Sequence, residues 1–178
     1  MGPMQGWSSF YETMGGAAAA LLGLLFVSVS VRAEQILGAR HSHARRIAEQ
    51  AFQNYLAVLL VSLVSLMPNV GTISLGFTLL YMLGIWAAWV VIRVHQTLMN
   101  WRAEETKLLT LRRYLASIAG FGTLIYAGVF LARGHDGYRD LVPIGALILL
   151  VSATIVSWEL LVSLAREREP PDPADKAE

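Results

Sequence analysis

The chain has no cysteine among its 178 residues, which excludes disulfides, thiolate metal sites and cysteine nucleophiles. Charge is scarce: only 15% of residues are charged, and none between Gln50 and Ile92 carries a formal charge. No Lys or Arg precedes Arg32, so the first apolar run lacks the basic flank of a signal peptide. With no soluble mature domain after it, it is read as a retained span. No phosphate-cradling glycine loop and no nucleophile-base or paired-carboxylate set occurs, which leaves no candidate catalytic residue and no cofactor. What is abundant is apolar surface. Hydrophobic residues make up 55% of the chain and the mean hydropathy is +0.51, the composition of a polytopic membrane protein.

The expected fold is all-α, a transmembrane helix bundle of five spans in a single domain over 1–165, followed by a disordered, charged cytoplasmic tail at 166–178. Trp7, Phe10 and Tyr11 suit an aromatic belt at headgroup level. Ser9 and Glu12 read as a capping box, and Gly15 to Val31 supply about 17 apolar or small residues, nearly enough at ~1.5 Å each to cross a ~30 Å core. The segment from Arg32 to Gln50 carries Arg40, Arg45 and Arg46 and belongs in water or among headgroups, with Gly38 a helix stop. The uncharged stretch that follows is too long for one span. Pro68 breaks it, giving spans at 51–67 and 72–92, the former diluted at its start by Gln53 and Asn54. Arg93 to Arg113 keeps helical spacing in Val94, Leu98, Trp101 and Leu108. Spans at 114–132 and 141–165 complete the set, with Pro143 in the first turn of the last, where a missing N–H is harmless.

Lys and Arg orient the chain, since basic residues near span ends stay in the cytoplasm. The segments after spans 1, 3 and 5 hold most of them, among them Arg45, Arg46, Arg112, Arg113 and Arg166, whereas the N-terminal tail and the turn after span 2 hold none and the loop after span 4 holds Arg133 and Arg139. The N-terminus is expected outside and the C-terminus inside.

Two kinds of residue stand out as candidate sites. Small residues at helical spacing permit close backbone approach in lipid: Gly16, Ala20 and Gly23 in span 1, between Glu12 and Glu34, and Ala116, Gly120, Thr123 and Ala127 in span 4. One stripe is expected to pack within the chain and the other to form a subunit contact. The second kind is intramembrane polarity. Ser152, Glu159, Ser163 and Arg166 share a face of span 5, so Glu159 either points into a bundle or cavity as a functional carboxylate or forms a structural ion pair with Arg93, Arg32 or Arg113. The hydroxyls of Ser28, Ser30, Ser62, Ser65 and Thr78 read as interhelical hydrogen-bond donors or as a water path. His41 and His43, two apart with no further ligands nearby, do not make a metal site, and the basic segments with Trp101 suit anionic headgroups, not nucleic acid.

At GGAAAALLGLLFVSVSV, followed by a charged connector and a Pro-containing hairpin, the chain resembles a group of small uncharacterised bacterial integral membrane proteins, over Phe10 to about Gly71. Some of that group are described as modulators of a membrane-anchored ATP-dependent protease. The better-known modulators of that kind are similar to the seven-span BAX-inhibitor family, with an acidic pair late in the chain; five spans and a lone Glu159 in the last depart from that pattern, so the activity is not carried over. The expectation is a non-enzymatic protein of a bacterial inner membrane, acting as a structural, regulatory or partner subunit that contacts lipid and either itself or another membrane protein. An oligomeric ion channel or small-solute transporter is the alternative.

Overall fold

The structure is a computed structural model that describes residues 5–31, 42–68, 70–84 and 107–166. All regular elements among the described residues are helical. A 3-10 turn at Gln5–Trp7 leads into α1 (Ser8–Val31), then come α2 (Ser42–Leu66), α3 (Thr72–Gly84), α4 (Lys107–Ala132), a 3-10 turn at Asp136–Tyr138 and α5 (Leu141–Arg166). Four of these helices, all but α3, are long and apolar enough to cross a membrane. The early turn makes Ser9 the second residue of α1 and not its cap. Arg32 to His41, residues 85–106 with Arg93, and the tail from 167 lie outside the described residues.

The charged connector expected up to Gln50 is in part helix. α2 begins at Ser42, because Ala44, Ile47, Ala48 and Ala51 recur at helical spacing and are buried. Arg45 and Arg46 point away from that face, and Arg45 Nε pairs with Glu49 Oε1 at 2.9 Å one turn on. α4 likewise starts at Lys107, ahead of the expected Tyr114.

Helix ends follow local chemistry. α2 stops at Leu66, just before Pro68, and α3 resumes with Leu75 N–H donating to Gly71 O at 2.9 Å. α4 ends in a Schellman motif: Gly134 has φ +83°, its N–H donates to Leu131 O at 2.9 Å, and His135 N–H donates to Phe130 O at 3.0 Å. Glycine is needed there because an L side chain rarely adopts that φ.

α2 is the central helix, packed against α1 on one side and α5 on the other, while α4 packs on α5. α4 and α5 approach through a reciprocal device. Leu149 sits where a side chain at Gly120 would be, 2.6 Å from the ideal Cβ position, and Leu124 does the same at Gly145 at 2.8 Å. α3 lies against the end of α4, with Gly76 directly on the backbone of Leu131 and Ala132. Buried residues of all five helices, among them Tyr11, Val58, Leu79, Leu124 and Leu149, make one apolar cluster toward the α2–α3 turn, and Leu25, Ile47, Tyr55 and Leu160 belong to a second toward the other end.

Candidate functional site: a buried polar junction

An apolar helix that carries amides at i and i+4 puts both on one face, and in α2 those amides are Gln50 and Asn54. Both face the bundle, Gln50 8% and Asn54 1% exposed, and meet Ser117 of α4 (3%) and Ser152 of α5 (2%). Asn54 Nδ2 donates to Ser117 Oγ at 2.8 Å and to Ser152 Oγ at 3.4 Å; Gln50 Nε2 donates to Ser117 Oγ at 3.1 Å; the two serine oxygens are 3.1 Å apart. Asn54, Ser117 and Ser152 all lie near the middle of their helices. Three helices are thus tied inside the bundle by four neutral side chains. Beside them, the Tyr55 hydroxyl donates to Thr154 Oγ1 and accepts from Ser157 Oγ, each at 3.4 Å.

No member of this junction ionises in the physiological range, so it holds no charge and offers no general acid or base. It offers amide and hydroxyl hydrogen bonding in a buried, low-dielectric setting, where a satisfied network fixes which helices sit together and an unsatisfied one is costly.

The residues singled out in the sequence fall in several places. Ser152 is in the junction, whereas Glu159 is half-buried further along α5 and is not among the partners of the four. Ser163 lies in α5 and its side chain is outside the described set, as is Arg93. Gly120 is buried beneath Leu149. Gly16, Ala20 and Gly23 are exposed, and a side chain at either glycine would meet nothing within 4 Å. The face of α1 that packs instead carries Tyr11, Met14, Gly15, Ala18 and Leu25. Ser28 and Thr78 bond back to their own helices, at 2.8 Å to Leu24 O and Ser74 O, and Ser62 and Ser65 are buried. Gln50 and Ser117 carry a signal that was readable only for Gln50, whose four-residue spacing from Asn54 marks a polar face in an apolar helix.

A second polar cluster ties the helix turns together. Thr72, which opens α3, donates to Asp136 Oδ1 and accepts from Arg139 Nη2, and Arg139 pairs with Asp136 at 3.0 Å. Phe130 stacks on Tyr138 with centroids 4.3 Å apart, and the Arg133 guanidinium lies 5.8 Å from the Phe130 centroid. No protein-family model, no curated protein and no solved structure matches this chain.

Proposed function

We propose that the chain is a non-enzymatic, five-span protein of a bacterial inner membrane that acts as a structural, regulatory or partner subunit through helix packing. The observation that carries this reading is the asymmetry of α1. Only 17% of its most apolar window is buried inside the bundle, against 61% for α2. Its outward face presents Gly16, Ala20 and Gly23 with Phe26 and Val27 nearby, both exposed. Lipid gains nothing from glycines at a surface, whereas a second helix can approach closely there. The occupant is a helix of another copy or of a different membrane protein. Replacing Gly16 or Gly23 by Leu should abolish co-purifying or crosslinked higher-mass species from native membranes and leave the thermal stability of the single chain unchanged. Wild-type protein that runs as a lone chain, or Leu variants that associate as wild type does, would sink the reading.

The five-span topology with the N-terminus outside has its own support. Tyr11 near the start of α1, the end of α2, the start of α3, the end of α4 and the start of α5 meet at one end of the bundle through the shared apolar cluster and the Thr72–Asp136–Arg139 contacts. α4 starts from the opposite end, so residues 85–106 would have to carry the chain back across.

A channel or transporter is the second reading, and the buried polar junction is what favours it, since polar side chains enclosed in a membrane bundle are uncommon without a purpose. Solute-independent ion or small-solute flux from proteoliposomes, lost on Asn54→Leu, is the expected outcome under that reading; its absence from wild-type protein would remove it.

A further inference from the structure

Among the described residues, five buried side-chain polar atoms have no protein hydrogen-bond partner, and four of the five lie along one seam: Tyr11 Oη, Gln50 Oε1, Ser62 Oγ and Ser65 Oγ. The fifth, Arg139 Nε, is at the α4–α5 turn. At 100° per residue, Gln50, Asn54, Val58, Val61 and Ser65 fall within an arc of about 80° on α2, and Ser62 adjoins it toward α1. The polar atoms occupy two levels of that arc. Between them Val58 and Val61 are 0% and 2% exposed.

At the level near the α2–α3 turn, Gly15 of α1 lies against Ser62, its ideal Cβ position 3.1 Å from Ser62 Cβ. One turn toward the membrane surface, Ser65 and Asp140 are the polar neighbours of the Tyr11 hydroxyl, and Asp140 is exposed. Ser62 Oγ has no protein partner, and the Tyr11 and Ser65 hydroxyls share at most one bond between them, which leaves enclosed polar groups short of partners where no bulk solvent compensates.

Within the four-residue junction the hydrogen-bond inventory leaves a matched pair. Ser117 Oγ accepts from Gln50 and Asn54, which fills its two lone pairs and sends its own proton to Ser152 Oγ. Ser152 Oγ also accepts from Asn54 and keeps its own proton to donate, while Gln50 Oε1 has no donor among the described residues. A molecule that accepts one hydrogen bond and donates another completes both. Water does so, and buried waters characteristically make about three such bonds to otherwise unpaired groups.

We propose that the inward face of α2 holds ordered internal water at two stations, one at Tyr11, Ser62 and Ser65 and one at Gln50 and Ser152, kept apart by Val58 and Val61. The stations are independent of whether α1 takes a partner. Water-edited solid-state NMR of the full chain in lipid bilayers reads them directly. Polarisation from water should build up severalfold faster at Ser62, Ser65 and the Gln50 side chain than at Val58, Val61 or the lipid-facing Leu63. Build-up at the polar sites as slow as at Val58 would overturn the proposal. Thermal unfolding in detergent gives a second, sign-based reading: Ser62→Ala and Ser65→Ala should each lower Tm by a few degrees, because they remove a water-bridged hydroxyl. A Tm unchanged or raised would mean those hydroxyls were unpaired in the folded chain, and would overturn the station they form.

Discussion

The Asn54 amide donates to two helices at once, to Ser117 Oγ on α4 and Ser152 Oγ on α5. Asn54→Leu, close in size, removes both bonds and leaves the serine pair with Gln50 alone. Hydrogen bonds between membrane helices contribute on the order of 0.6 kcal/mol each, with the best near 1.7, so the substitution should cost about 1–2 kcal/mol in a detergent or bilayer unfolding measurement. Ser117→Ala and Asn54→Leu should be clearly non-additive, since they share a bond; additive costs would mean the junction is not one network. Half of this junction could be read from the chain. Gln50 and Asn54 announce themselves by their spacing in an apolar helix, although Asn54 reads first, with Gln53, as a dilution of the span. Ser117 and Ser152 do not. Serines abound in these spans, and only packing joins residues 63 and 98 positions from Asn54.

Between elements, glycines decide how closely the helices approach, and they differ sharply in what a side chain would meet. At Gly76 the added Cβ would lie 2.7 Å from Leu131 C and 2.8 Å from Ala132 Cα, backbone atoms that cannot rotate away. Gly76→Ala therefore has to push α3 off α4, at a cost of about 1–3 kcal/mol. At Gly122, on the outward side of α4, nothing lies within 4 Å, and Gly122→Ala should stabilise the helix by up to about 1 kcal/mol through propensity alone. Thermal unfolding of the two variants side by side tests the contrast, and equal effects would mean α3 is not held against α4. The span 4 stripe is readable as a face of small residues, and Gly120 and Ala127 are buried. The α1 stripe is not readable in the same way. Gly15, Gly16 and four alanines run consecutively, so small residues cover every side of that helix, and a one-residue change of register turns the stripe by ~100°. Tyr11 and Met14 settle the matter, since large side chains gain most from burial, and they draw Gly15 and Ala18 inward with them.

At the scale of the whole molecule, the end of the bundle where α1 begins and the opposite end carry different chemistry. At the first, Arg139 is paired with Asp136 and bonded to Thr72, and Arg133 lies by the Phe130 ring. At the second, Arg45 and Arg46 are exposed, with Arg45 paired to Glu49 one turn on. Lys and Arg near span ends, counted whether or not an acid pairs with them, are what hold a side in the cytoplasm. The number of crossings turns on α3, whose apolar character continues in sequence through Ile92 beyond the helix at Thr72–Gly84. In the bundle α3 starts, α4 ends and α5 starts at the end where α1 begins, so the end of α5 lies opposite the start of α1 and the expected number of crossings is odd. Fusing a fluorescent protein that matures only in the cytoplasm after Glu178, and in parallel a phosphatase active only outside, reads the C-terminus. A cysteine placed at Trp7, unique in a chain with none, reads the N-terminus by its reaction with an impermeant thiol reagent on intact cells. The expected result is a fluorescent, phosphatase-silent C-terminus and a labelled N-terminus. Termini found on the same side would mean that α4 and α5 run opposite to their directions in this bundle, and would overturn both the five-span reading and the contact of Gly76 with the end of α4.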